Sequence, residues 1–204
     1  EIVGEQKLRT QMTQKPPTAT RRLGTPDTRK IKMPHYLLSI KAELTHVKSF
    51  RLSDGARFCV DLTSGSETRS DVWLDPAILV EAPGGRSETN LVITFEGASK
   101  PATVNVVPCD ATSTEYTEAN SGQFVAIQCF ECRGCEVTGY SVQSEWVVVG
   151  ESGCEFTEEV ELNEDWCDYD EEAGVSPEIS EFAYKVERYN PPKKGGKKAK
   201  GKKK

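Results

Sequence analysis

The chain has few of the residues from which catalytic sites are usually built. Its only histidines are His35 and His46, both close to the first strand-like segment, so no Ser/His/Asp arrangement is available. No G-x-x-x-x-G-K-[ST] loop occurs, and Gly195-Gly196-Lys197 has no strand before it to present a phosphate cradle. No apolar run reaches the roughly 18 residues that a membrane span needs, so no membrane insertion is expected. The seven cysteines are an odd number without framework spacing, which fits a reducing compartment better than a disulfide scaffold. The first residues, EIVGEQKLRT, hold no apolar signal core. The expectation is an intracellular protein, in mitochondrion or cytoplasm and not secreted, that is not an enzyme. No stretch shows the 3.6-residue apolar spacing of a three-turn helix.

What the chain has in quantity is charge, and the charge is segregated. The net −6 conceals eight Lys/Arg against three acids in residues 1–33, and eight Lys with no acid in PPKKGGKKAKGKKK, residues 191–204. Residues 34–190 keep ten basic and twenty-nine acidic groups, a net −19. The expected organisation is an acidic domain between a basic extended N-terminal arm and a Lys-rich C-terminal tail. The N-terminal arm mixes Pro16, Pro17, Thr18, Thr20, Thr25, Pro26 and Thr28 with its cations and has no apolar period, so it reads as extended. Being rich in hydroxyls and poor in acids, it also fits the remnant of a mitochondrial transit peptide. Lys7, Arg9, Lys15, Arg21, Arg22, Arg29, Lys30 and Lys32 in that arm are candidate polyanion contacts. So are Lys193, Lys194, Lys197, Lys198, Lys200, Lys202, Lys203 and Lys204 in the tail. Neither arm has aromatics to stack on bases and Arg is sparse, so sequence-specific readout is not implied.

Within the acidic segment the apolar residues recur with period two. Tyr36, Leu38, Ile40, Ala42 and Leu44 alternate with more polar neighbours, as do Phe58, Val60 and Leu62. Further strand-like runs cover 72–80, 90–95, 103–107, 123–130, 137–149 and 155–162, and the last alternates Phe182, Tyr184 and Val186 with Glu181, Lys185 and Glu187. Ser53-Asp54-Gly55, Pro83-Gly84-Gly85 and Ser121-Gly122 punctuate them as turns. Many short strands at this spacing predict an all-β, mainly antiparallel domain, built as a two-sheet sandwich.

The stretch CFECRGC raises a chemical question. Cys129, Cys132 and Cys135 share one segment, so CFEC and CRGC overlap and cannot form two independent zinc knuckles. Strand alternation would point Cys129 and Cys135 one way and Cys132 the other. Cys132 and Cys135 joined by Cys154 and Cys167 would make a four-thiol zinc site. A C-x-x-C redox pair would want a helix after it, and EVTGYSV is strand-like. Buried thiols packing as small apolar side chains is the third, favoured reading. Glu151–Glu172 carries eleven acids in twenty-two residues. There Asp168, Asp170 and Glu172 have the alternate spacing of a calcium loop without its glycine, and a solvated acidic edge is the simpler reading.

FECRGCE, GESGCEF and above all LNEDWCDYDEE, with Trp166, Asp168, Tyr169 and Asp170, resemble the eukaryotic CXXC-motif-containing zinc-binding family. The likeness spans about Pro34 to Tyr189, the whole acidic domain and neither arm. The resemblance implies zinc held by two C-x-x-C knuckles. The shared flanks put them on Thr63-Ser64-Gly65-Ser66 and Phe95-Glu96-Gly97-Ala98. The four ligand positions have become Thr63, Ser66, Phe95 and Ala98, so a divergent member without the family's zinc is expected, with no cofactor. Kept for shape and surface, it would serve as a structural or docking subunit of a larger assembly, such as a ribonucleoprotein or ribosome. Its partners would be protein subunits and RNA or another polyanion. The alternative is a free-standing zinc-binding or metal-chaperone-like protein using Cys129, Cys132 and Cys135.

Overall fold

A computed structural model of the chain describes residues 33–191. All sixteen arm residues named above lie outside that range. The described chain runs β1 (His35–Thr45), β2 (Val47–Leu52), β3 (Phe58–Ser64), β4 (Glu67–Leu74), β5 (Val80–Glu81), β6 (Glu88–Thr89), β7 (Leu91–Ile93) and β8 (Ala102–Val107). It continues through β9 (Tyr116–Thr117), a 3-10 turn (Glu118–Asn120), β10 (Val125–Arg133), β11 (Glu136–Ser141), β12 (Trp146–Gly150), β13 (Glu155–Phe156), β14 (Trp166–Cys167) and β15 (Glu178–Tyr189). The protein is all-β, as its period-two patterning requires, and every named strand pair is antiparallel.

The largest sheet has six strands in the order β14-β15-β1-β10-β8-β7. A three-stranded sheet, β11-β3-β4, and a four-stranded sheet, β13-β12-β2-β9, complete the core, and β5-β6 is a separate ribbon. The even-numbered residues of β1 show how they stack. Tyr36 and Leu38 enter one apolar cluster with Phe58, Val60, Leu62, Leu74, Val104 and Phe130, from the six- and three-stranded sheets. Ile40 and Ala42 enter a second with Val47, Phe50, Tyr116, Trp146, Val148 and Ile179, from the six- and four-stranded sheets. The sandwich therefore has one long sheet opposed by two shorter ones. Leu52, Ile127 and Val142 pack against both clusters and make the interior continuous.

β1 and β15, the first and last strands, are neighbours in the large sheet, and His35 lies opposite Tyr189. The two ends of the described chain are thus set side by side.

Several elements differ from the patterning. The run 72–80 breaks after Leu74, where Asn90 Nδ2 donates to the carbonyls of Asp75 at 3.3 Å, Pro76 at 3.1 Å and Ile78 at 3.0 Å, fixing a loop in place of a strand. The run 137–149 is two strands in different sheets, and 155–162 is a strand only at Glu155–Phe156. Val160 and Leu162 still reach the core, as anchors of an irregular segment.

Candidate functional site

The two turns expected to replace zinc knuckles are brought together. Thr63-Ser64-Gly65-Ser66 joins β3 to β4, and Phe95-Glu96-Gly97-Ala98 follows β7. Each has glycine third, at φ +61° for Gly65 and +72° for Gly97, a backbone region that side chains disfavour. The two turns are joined by a hydrogen bond: the carboxylate of Glu67, next after Ser66, accepts the backbone N–H of Glu96. It also accepts Arg69 Nε at 2.8 Å, and Arg69 followed by the Glu96 N–H holds this carboxyl below its ordinary range. The Arg69 guanidinium lies 5.7 Å from the centre of the Phe95 ring. Phe95 itself is buried in the cluster with Leu62 and Leu74, while Ala98 N–H donates to the Phe95 carbonyl at 3.2 Å and closes its turn. Thr63 Oγ1 is within 3.0 Å of both Thr68 Oγ1 and Thr138 Oγ1, so its hydroxyl is committed to a cross-strand ladder.

The CFECRGC stretch leads to the same place. β10 ends at Arg133 and Gly134 bends the chain at φ +81° into β11, which belongs to another sheet. Strand alternation stops at that bend, so the expectation that Cys132 and Cys135 point apart is wrong. Both are buried in one cluster. Cys129 is buried elsewhere, and its thiol is pushed up to about 12, first by burial and then by Cys109. Ser64 Oγ, from the first turn, donates to the Gly134 carbonyl at 2.8 Å. A cavity of about 440 Å³ lies over this junction, walled by Pro34, Thr63, Ser64, Gly65, Gly134, Cys135 and Glu136.

Cys154 and Cys167 are exposed, and no group of three or more His, Cys, Asp or Glu placed to hold a metal occurs among the described residues. In the DWCDYDEE segment the roles divide. Trp166 is buried in the second cluster, 5.6 Å from the Phe156 ring. Tyr169 is more than half exposed. Asp170 is fully buried and its carboxylate is saturated: Oδ1 accepts the N–H of Glu172 and Ala173, and Oδ2 accepts Ser152 N–H at 3.2 Å and Oγ at 2.6 Å. This carboxylate is a loop fastener with no lone pair left for calcium.

One feature escaped the patterning. Trp73, Ile78, Leu79 and Val80 are exposed together, beside a cleft of about 450 Å³ between the β4 and β7 edges. Four apolar residues within eight positions, with Ile78 and Leu79 outside any strand, was the available signal.

Fold and site together define a class: an antiparallel β-domain in which two glycine-bent turns, each of knuckle length, close on one another. The model of the eukaryotic CXXC motif containing zinc binding protein family matches residues 37–187, and the chain belongs to that family. A UPF0587 protein of Drosophila melanogaster is 32% identical over 158 residues, covering 72% of this chain and 93% of the fly protein. The human CXXC motif containing zinc binding protein is 27% identical, covering 72% and 94%. A hypothetical protein from Plasmodium falciparum superposes with TM-score 0.69 at 27% identity, over 76% of this chain and all of that one.

Proposed function

We propose that this protein is a non-catalytic structural and docking subunit of a larger assembly, a ribonucleoprotein by the chemistry of its arms, and that it has given up zinc at the paired turns. The donors there are two hydroxyls, a phenyl ring and a methyl group, which do not fit a borderline-soft ion that takes thiolate and imidazole. A structural zinc contributes on the order of 10 kcal/mol to small zinc peptides. Burial of Phe95, the Glu67 carboxylate on Glu96 N–H and the Thr63 ladder supply cohesion at the same junction. The thiols of CFECRGC do not offer a replacement centre of three ligands.

The observation that carries the docking reading is the pairing of His35 with Tyr189. It starts a +5 arm and a +8 tail from adjacent points of a domain at −19. An acidic body with two cationic arms rooted together suits a subunit that lies against protein while its arms neutralise phosphates. The exposed Trp73, Ile78, Leu79 and Val80 group supports a protein partner, since monomers rarely expose such a patch without use.

Two measurements test this. Metal analysis of the purified protein is expected to find no stoichiometric zinc. Zinc at one per chain, lost on Cys132→Ser and Cys135→Ser, would favour the free-standing metal-binding alternative. The protein is expected to sediment with a large particle in lysate, and deletion of 191–204 to weaken RNA association and flatten its salt dependence. Unchanged binding would make the tail a solubiliser only.

A further inference from the structure

We propose that the cleft between the β4 and β7 edges binds an extended segment of a partner protein, apolar at alternate positions and flanked by Lys or Arg, which adds as a strand to one of those edges. This partner chemistry rests on the docking reading and deepens it. Among the described residues seven large hydrophobic side chains are exposed, and four of them, Trp73, Ile78, Leu79 and Val80, fall within eight positions. The cleft of about 450 Å³ beside them has Trp73, Ile78, Val80, Leu91 and Val92 as its apolar wall. Single apolar side chains are ordinary on a surface, whereas a group of them beside a cavity marks an interaction site.

The shape of the occupant follows from what stands on either side. β4 ends the three-stranded sheet and β7 ends the six-stranded one, so each is hydrogen-bonded to a neighbour along one side only. Such an edge leaves the N–H and C=O groups of alternate residues without a strand partner, and an incoming extended chain satisfies them. β4 has Asp71 at φ +55°, and its register with β3 shifts between Val60 and Leu62. The regular edge beside the cleft is therefore short, residues 72–74, with Leu91–Ile93 on the other side. Pairing over so few residues leaves much of the hold to side chains, which exposed Trp73, Ile78 and Val80 supply. The cleft is also preformed. Asn90 Nδ2 pins the loop carbonyls of Asp75, Pro76 and Ile78 at one end, and Glu67 accepts Glu96 N–H at the other. Binding thus orders little of this chain.

Charge sets the flanks. The cleft is lined by two carboxylates, Asp75 and Glu81, and by no Lys or Arg. Asp75 Oδ1 accepts Ala77 N–H at 2.8 Å, and neither carboxylate is paired with a cation among the described residues. Arg57 lies 5.2 Å from the centre of the Trp73 ring and is paired with Glu145 at 4.0 Å. In a domain at −19, cationic flanks are drawn in and anionic ones repelled.

The experiment uses the full chain and a labelled synthetic probe with blocked ends, Lys-Val-Thr-Val-Thr-Val-Lys, followed by fluorescence anisotropy and Trp emission. Trp146 and Trp166 are buried, so a change in emission reports Trp73. Saturable binding with that change is expected. N-methylation of one set of alternate residues in the probe is expected to weaken it about tenfold or more, with little effect from the other set, because a strand pairs along one side. Glu in place of both flanking Lys is expected to weaken it about as much. Ile78→Lys, at a position more than half exposed, is expected to abolish binding without harm to the fold. Glu81→Lys is expected to make the Glu-flanked probe the tighter one. No binding of the parent probe, or equal binding of all its N-methylated forms, would overturn the proposal. So would a wild type that sediments as a dimer and is dissociated by Ile78→Lys, which would assign the cleft to a second copy of this chain. Sedimentation in lysate separates the two readings. A wild type that travels with a large particle yet binds no probe overturns the cleft and leaves the docking reading, whereas one that binds the probe yet sediments alone supports the cleft and overturns that reading.

Discussion

At the scale of single residues, the paired turns are the informative place, because each bends at a glycine and the two are hydrogen-bonded to one another through Glu67 and Glu96. Gly65 and Gly97 have positive φ at matching positions, so on the proposed reading only four side chains separate these turns from a zinc site. Replacing Thr63, Ser66, Phe95 and Ala98 together by cysteine is expected to confer one tightly bound zinc per chain, read by metal analysis after dialysis. A quadruple variant that folds and takes no metal would show that the turns do not converge as knuckles do. Phe95→Ala alone is expected to cost about 3–5 kcal/mol in urea unfolding, the usual range for a buried phenyl. A second residue sets a pH limit. Four donors hold the Asp170 carboxyl below its ordinary value, the Ser152 hydroxyl foremost. A depressed folded-state pKa gives stability that is present above the unfolded value near 3.9 and is lost as pH falls through the folded one. Asp170→Asn is therefore expected to unfold more readily at pH 7. The gap to wild type should narrow as pH falls below about 4, followed by urea midpoints across pH. A gap of constant size would mean that the carboxylate's charge is irrelevant.

At the scale of elements, what could be read in the sequence is what obeys one period. The strands β1, β3 and β15 were legible because their large apolar side chains recur every second residue, even though Ser39 in β1 and Cys59 in β3 are buried as well, and the two turns were legible from the segments flanking them. β2 was not, since its apolar residues are Val47, Phe50 and Leu52, which breaks the two-residue period. The burial of Cys132 and Cys135 in one cluster was illegible for a related reason: a positive-φ glycine moves the chain between sheets, and parity along a strand does not survive that turn. Val160 and Leu162 looked like strand residues because burial alone, without hydrogen-bonded pairing, leaves the same mark. Tyr116 shows how such irregular ground is secured. Its hydroxyl accepts Ala42 N–H at 3.2 Å and lies 2.9, 2.6 and 3.0 Å from the carbonyls of Ala42, Asn120 and Gln123, tying β9 and the 3-10 turn to β1. Tyr116→Phe removes that knot while keeping the ring against Phe50. It is expected to cost about 1–3 kcal/mol, the penalty for stranding buried polar groups, in urea unfolding. A change within error would assign the knot to packing of the ring alone.

At the scale of the whole molecule, the pairing of first strand with last matters more than any one contact. It makes the large sheet a product of non-local pairing, since its central strand β1 lies between β10 and β15. It also means that two cationic segments share one origin. If both engage the same polyanion, the second binds from an effective concentration set by tethering, in the millimolar range for short flexible connections. Removing 1–33 or 191–204 singly is then expected to weaken binding to a homopolymeric RNA by on the order of a hundredfold, more than independent arms would lose. Removing both should abolish binding, because the remaining domain, at −19, repels phosphate. The comparison is best made by fluorescence anisotropy with a short oligonucleotide and a long one. Adjacent origins predict that the cooperative gain survives on the short strand, while widely separated ones would reserve it for the long. One-armed chains that bind as tightly as the intact protein on both lengths would show that the arms do not act on a common ligand, and the acidic domain would then have to find its assembly through protein contacts alone.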